Sequence, residues 1–168
     1  MRKALLLAIS ILLIASTAIA DHIGIYRDSS GQSCRLDPGY STNGTIIHKF
    51  SLGATGSTFR VDLSHAPGST FIAFHSPFVP IGDLPTGISI GYGGRCTTGN
   101  IVVGTIEAML SPGYLEVAPK IGFTVIEYTD CAGMYSATGG RAFIGDDGDC
   151  VTVATEQSTW GHVKALYR

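Results

Sequence analysis

The strongest constraint on the fold is an alternation of apolar and polar side chains, in short runs separated by turn residues. Residues 59–63 read Phe-Arg-Val-Asp-Leu, and residues 88–92 and 115–117 repeat the pattern. A two-residue period places one set of side chains in a core and the other in water, as in a β-strand buried on one face. We expect Phe59, Val61, Leu63, Ile88, Ile90, Val102, Ile106, Leu115, Val117 and Val125 to face inward, and Arg60, Asp62, Ser89 and Glu116 to face outward.

The runs are separated by residues that favour turns. Pro-Gly pairs occur at 38–39, 67–68 and 112–113, where proline fixes φ and glycine accepts the positive φ of a type II turn. The pair Asn43-Gly44 predicts a hairpin, and residues 53–56 predict a break between two strands.

About nine strands are therefore predicted, near residues 23–26, 45–51, 57–63, 70–75, 87–92, 100–110, 114–118, 123–129 and 141–145. Because no helical pattern connects them, we expect an all-β domain, an antiparallel two-sheet sandwich of the Ig-like jelly-roll kind. A short helix is predicted only at the C-terminal end. Ser158 or Thr159 could cap it, and Trp160, Val163 and Leu166 recur at helical spacing.

The first twenty residues have the pattern of a cleaved signal peptide. Arg2 and Lys3 precede an apolar run at 4–15, and Ala18-Ile19-Ala20 forms an A-x-A cleavage site before Asp21. The apolar run is too short to span a hydrocarbon core of roughly 30 Å as a helix. We expect a signal peptide at 1–20, of bacterial type, and a single domain at 21–168. That domain would be secreted to the extracellular space or the periplasm, with no membrane span after cleavage.

The charge of the chain argues against two classes of partner. Residues 1–20 carry two basic side chains and no acidic ones, so their removal changes the net charge from −2 to −4. Nucleic acids and anionic membranes reward clusters of Lys and Arg, which this sequence lacks. The expected partner is an extracellular protein or glycan.

The four cysteines, Cys34, Cys96, Cys131 and Cys150, all follow the predicted cleavage site. An even number in an exported chain predicts two disulfides, whereas a zinc site needs closer pairs than the smallest gap here, of nineteen residues. Three pairings are possible. We favour Cys131–Cys150, because a short glycine-containing segment closes easily, and this leaves Cys34 to pair with Cys96.

No catalytic residue is predicted with a convincing context. Residues 87–91 match the G-x-S-x-G pattern of serine hydrolases, which requires a sharp turn from a strand into a helix. The β-branched flanks of Ser89 instead indicate an outward residue of an alternating strand. A small secreted hydrolase using Ser89, or an unrecognised Asp, Glu and His set, remains the alternative function.

One acidic segment is a candidate metal site. Asp146, Asp147 and Asp149 surround Gly148, and their carboxylates could bind calcium. The segment lacks a full twelve-residue calcium loop with its closing glutamate, so a solvated acidic turn is the competing interpretation. A calcium-stabilised adhesion module is therefore a further alternative, and no other cofactor is expected. His48 and His75 fall in predicted strands and could meet across a sheet as a weaker metal pair.

Three segments carry a resemblance to known proteins. The opening Ile-Gly-Ile-Tyr at 23–26 with Asp28 and Cys34, the segment 53–61, and the ending Thr-Trp-Gly-His-Val-Lys-Ala-Leu-Tyr at 159–167 together resemble short exported bacterial proteins whose function is not established. The predicted strand order is also similar to that of cohesin-type sandwiches, which are non-catalytic protein-binding modules. This resemblance implies a fold and a binding or structural role outside the cell, and it places no binding residue on this sequence.

Overall fold

The structure, a computed structural model, describes residues 21–145 and 150–153, and its regular elements there are all β-strands. They are β1 (His22–Tyr26), β2 (Arg35–Leu36), β3 (Gly39–Asp62), β4 (Thr70–His75), β5 (Pro80–Asp83), β6 (Gly87–Gly91), β7 (Thr97–Leu110), β8 (Gly113–Ala118), β9 (Ile126–Asp130), β10 (Met134–Ile144) and β11 (Val151–Val153). No helix in these ranges is long and apolar enough to cross a membrane. The predicted signal peptide and C-terminal helix lie outside the described residues.

The strands form one hydrogen-bonded sheet that closes on itself through β3 and β10. The first half of β3 pairs with β1 and β7, and its second half pairs with β6, β9 and β8. Strand β10 pairs with β1 in parallel and with β8 and β9 in antiparallel. The two halves share one apolar core, as in a sandwich, so the predicted all-β class is confirmed. The sequence did not predict that two strands, β3 and β10, connect the two halves of the sheet.

The long strand β3 corrects two predicted turns. Asn43-Gly44 and the segment 53–56 lie within β3 and end no strand. The register of β3 shifts by bulges after His48, Leu52 and Ala54, and Phe50 and Gly53 adopt positive φ values of 63° and 145°. Bulges bend a strand and increase its twist, which lets β3 pass from one half of the sheet to the other. Glycine here permits a bend in a continuing strand.

The strand phase follows the alternation at most positions. Seven of the expected inward residues are buried: Phe59, Val61, Ile88, Ile90, Ile106, Leu115 and Val117. Leu63 packs against the core and Val125 is half-buried, whereas none of the four expected outward residues is buried. Val102 is a wrong prediction, since it is 38% exposed while Ile101 and Val103 are buried. Every residue from 101 to 103 is apolar, so no alternation indicated the phase there.

All four cysteines form bridges, but the pairing we favoured is wrong. The structure joins Cys34 to Cys150 and Cys96 to Cys131, with Cα–Cα distances of 5.1 and 5.8 Å. The sheet explains the second bridge. Ala54 of β3 lies opposite Thr97 on one side and Asp130 on the other. Cys96 precedes Thr97 and Cys131 follows Asp130, so the two cysteines come close together. Closeness in sequence therefore did not decide the partners.

Candidate binding surface

The outer face of β6, β3 and β9 carries a groove with a volume of about 250 Å³. Its floor consists of two rows of residues that lie opposite one another across the three strands. The first row is Ser89, Thr58 and Glu127, and the second is Gly91, Gly56 and Thr129. Because the floor is built on paired strands, its shape is fixed by the backbone of the sheet.

Two opposed glycines, Gly56 and Gly91, lie in the second row of this floor. At Gly56 a Cβ atom would lie 2.7 Å from the carbonyl oxygen of Ile90, so a side chain does not fit there without a shift of the strands. At Gly91 the nearest atom to a Cβ would be the Thr55 carbonyl oxygen at 4.0 Å, so the space above Gly91 is open. The groove therefore has room for a ligand group above Gly91, where no side chain fills it.

The hydroxyl groups of the floor hydrogen-bond to one another and to the backbone. The Thr58 hydroxyl donates to Ser89 Oγ at 3.1 Å. The Thr55 hydroxyl donates to the carbonyl oxygen of Thr129 at 3.1 Å and lies 3.0 Å from its Oγ1. Polar groups that already have partners lose less when a ligand displaces their water. An apolar group can therefore cover these hydroxyl groups at a modest cost.

The border of the groove is formed by exposed aliphatic side chains. Val79, Ile81 and Met134 are 83%, 72% and 66% exposed. In the described part of the chain, five large apolar side chains are more than 60% exposed, and these are three of them. We call the groove with this border the β6–β3–β9 face. A concentration of exposed apolar side chains around one depression is typical of an interaction site.

Ser89, the serine of the G-x-S-x-G match, lies in this face without the geometry of a nucleophile. It is in the middle of β6, paired on both sides with β3 and β5, and no turn into a helix follows it. The hydrogen bond that the structure gives Ser89 is with Thr58, whereas a nucleophilic serine needs an adjacent general base. Ser89 is thus part of the floor, as its predicted outward orientation implied.

A buried polar network, which the sequence analysis missed, lies behind the groove. Ser57 Oγ is 2.5 Å from the Tyr92 hydroxyl, which is 3.3 Å from His48 Nδ1. His48 Nε2 is in turn 3.1 Å from Asp21 Oδ1. All four residues are buried. The one sequence signal was that His48 lies two positions after Ile46 in β3, where alternation predicts an inward side chain.

Burial favours the neutral forms of the histidine and tyrosine side chains in and beside this network. Burial lowers the pKa of His48, although the neighbouring Asp21 opposes the shift. Burial also raises the pKa values of Tyr92 and Tyr128, and the Tyr128 hydroxyl hydrogen-bonds to the Asp21 carboxylate. The hydroxyl of Ser57 is enclosed and Tyr92 stands between it and His48, so this network lacks the direct nucleophile–base contact of a catalytic triad. Its role is to fill the core with satisfied polar groups.

His22 makes the stability of the fold depend on pH. Burial, with Lys49 and His48 adding to it, lowers the pKa of His22 from 6.5 to about 4. Between these values the unfolded chain binds a proton at His22 that the folded chain does not, so stability falls as the pH falls through this window. We expect the free energy of unfolding to decrease by about 3 kcal/mol between pH 6.5 and pH 4 through this group.

Urea unfolding at a series of pH values measures this effect, with two histidine variants as a matched pair. His22→Gln should reduce the dependence between pH 6.5 and 4, and His48, whose pKa is also lowered by burial, should account for a remainder. His75→Gln should leave the dependence unchanged, because His75 is exposed on the edge strand β4. An unchanged slope in His22→Gln would show that another group is responsible.

The structure does not test the predicted calcium site. Asp146, Asp147 and Asp149 lie outside the described residues. Within residues 21–145 and 150–153, no group of three or more His, Cys, Asp or Glu side chains could hold a metal ion. His48 is held by Asp21, whereas His75 lies 4.0 Å from Glu107, so the predicted histidine pair does not form.

Comparison with known proteins gives distant structural likenesses. No protein-family model matches the chain, and no curated protein matches it. A cohesin module from a Clostridium perfringens family 33 glycoside hydrolase is 7% identical, with a TM-score of 0.47 over 74% of this chain and 96% of that module. The solution structure of CaCohA2 from Clostridium acetobutylicum is 8% identical, with a TM-score of 0.39 over 83% and 94%. At these TM-scores the likenesses support no conclusion, and function is argued from the surface itself.

Proposed function

We propose that the chain is exported, is cut before Asp21, and acts outside the cytoplasm as a non-catalytic module that binds another protein through the β6–β3–β9 face. The observation that carries this proposal is the exposed border of Val79, Ile81 and Met134 around a depression with a glycine floor. Exposed aliphatic groups lose contact with water when a partner covers them, and this favours association.

The chemistry of the border favours a protein over a glycan as the partner. The three exposed side chains are aliphatic, and they present no flat aromatic face on which a sugar ring would stack. A protein partner can place an apolar side chain in the depression above Gly91, with the border residues closing around it and excluding water. Met134 suits such a border because its unbranched side chain adapts to the shape of its partner.

Two features support a binding role over a catalytic one. Neither Ser89 nor the buried Ser57 contacts a general base: Ser89 hydrogen-bonds to Thr58, and the Ser57 hydroxyl contacts the Tyr92 hydroxyl. Strand faces need no reactive group to recognise a partner, only a stable shape and exposed contacts. The face offers both, since its floor is part of the central sheet.

Filling the depression tests the proposal. Gly91→Leu should place a side chain into open space, so we expect the folded domain to keep its unfolding temperature while losing at least about tenfold in affinity, or roughly 1.4 kcal/mol. The mature domain is immobilised and exposed to the secreted proteins and cell-wall fraction of the producing culture. Proteins retained by the wild type are identified, and their affinities for both forms are compared.

Leu52→Asp is the matched control, because Leu52 is as exposed as Val79 but lies outside the groove. It should retain the same proteins as the wild type, and Ile81→Asp should lose them. Equal retention by the wild type, Gly91→Leu and Ile81→Asp would contradict the proposal, as would retention of polysaccharide alone.

A further inference from the structure

The residue that would begin the mature chain is a core residue. Asp21 is only 5% exposed, and its carboxylate lies 3.1 Å from His48 Nε2. Its carbonyl oxygen accepts hydrogen bonds from the backbone N–H of Thr138 at 2.9 Å and from the Thr138 hydroxyl at 3.3 Å. Chain termini usually lie at the surface and contribute little to the core. Here the start of the predicted mature chain is bound to both β3 and β10.

The described surroundings of the Asp21 carboxylate contain hydrogen-bond donors and no fixed positive charge. His48 and Tyr128 face it, and burial favours the neutral form of both. Lys49 is paired with His22 across β1 and β3, and alternation directs both side chains to the opposite face from Asp21. A buried carboxylate is costly when no cation balances it.

Cleavage at the predicted site would supply that cation. Hydrolysis of the amide bond between residues 20 and 21 adds one water, which leaves a carboxylate on residue 20 and an amine on Asp21. The amine takes up a proton at neutral pH, because its ordinary pKa is about 8. Three covalent bonds separate this nitrogen from the side-chain carboxyl carbon, so the two charges lie within about 4 Å of each other.

We propose that the α-ammonium group created on Asp21 by cleavage is the counter-charge of the buried Asp21–His48 pair, so that the domain reaches its full stability only when no residue precedes Asp21. Export and folding are thereby linked, since the chain becomes most stable after the step that releases it. The same contact makes any added N-terminal residue destabilising, because an added residue turns the charged amine into a neutral amide.

The test compares two N-termini in two backgrounds. The domain is released from an N-terminal fusion by a protease that leaves Asp21 first, and is compared with the same domain preceded by Gly-Ser. We expect the extension to lower the unfolding temperature by about 5 °C. In an Asp21→Asn background the extension should have little effect, because the carboxylate that the ammonium balances is gone.

Two results would overturn the proposal: no decrease in the unfolding temperature on extension, or an equal decrease in both backgrounds, which would indicate a steric effect only.

A pH series covers the case in which Asp21→Asn does not fold. The proposal needs the charged form of the α-amine, whose ordinary pKa is about 8, so the advantage of the unextended chain should be complete well below pH 8 and lost as the pH rises far above it. An advantage that persists at pH 11 would contradict a charge effect. The other titratable groups near Asp21 are His22, His48, Lys49, Tyr92 and Tyr128. They are present in both chains, so their contributions cancel in the comparison.

Discussion

Replacing Cys34 and Cys150 together by serine should lower the free energy of unfolding by about 5 kcal/mol. The bridge joins residues 116 positions apart and ties the segment before β2 to the residue directly before β11. Without it the unfolded chain gains the conformational freedom of a very long loop, while the folded state loses only one contact. Urea unfolding of the oxidised wild type and the double variant measures the difference.

The second bridge provides the matched comparison. Cys96 and Cys131 are 35 positions apart, so the double serine variant at these sites should lose about 4 kcal/mol, less than the first. Peptide mapping under non-reducing conditions checks the pairing directly. A peptide joining Cys131 to Cys150 would restore the pairing that sequence closeness favoured and would contradict the structure.

Removing the imidazole of His48 should cost about 3–5 kcal/mol. The His48→Ala variant leaves the Asp21 carboxylate in the core without its principal partner, and it also leaves the Tyr92 hydroxyl without His48 Nδ1. The loss is large because a buried group that loses its partner keeps its desolvation cost. Thermal and urea unfolding at neutral pH report it.

An exposed ion pair serves as the control for this prediction. The Arg27 guanidinium and the Asp37 carboxylate are 2.9 Å apart with both side chains more than half exposed, so Arg27→Ala should change stability by less than about 1 kcal/mol. The double variant Asp21→Ala with His48→Ala should lose less than the sum of the two single variants, since each removes the partner of the other. Additive losses would show that the two residues do not form a unit.

The sequence predicted the fold best where apolar and polar residues alternate. Phe59 and Val61 are buried and Arg60 and Asp62 are not, because one face of β3 packs on the core there and the other faces solvent. The same argument was wrong at Val102, because residues 101–103 are all apolar and the sequence there does not indicate which side chains face the core. The local pattern therefore indicates which side chains face the core only where one face of a strand is buried and the other faces solvent.

Glycine was the least reliable signal for the limits of strands. Residues 53–56 predicted a break, yet Gly53 adopts positive φ at a bulge inside β3 and Gly56 lets the carbonyl of Ile90 approach closely. Both roles belong to a continuing strand that bends, and the residue type alone does not distinguish them from a turn. The consequence was that one strand of 24 residues was predicted as two shorter ones.

The groove and the buried network depend on contacts that no local pattern contains. Gly56, Gly91 and Thr129 come from three strands and meet only because β3 pairs with β6 on one side and β9 on the other. Asp21 and His48 are likewise brought together by the pairing of β1 with β3. Pairing between strands distant in sequence follows from the whole fold, so it could not be derived from residue spacing.

The central claim, that the β6–β3–β9 face binds a protein, is tested most directly by cross-linking at that face. A photo-activated amino acid is placed at position 81 of the exported protein, and in a matched variant at position 121, since Ile81 and Ile121 are both strongly exposed but only Ile81 borders the groove. Illumination of the living culture should join position 81 to one discrete protein and leave position 121 unlinked. A cross-link at position 121 with none at position 81, or the same products from both positions, would contradict the account.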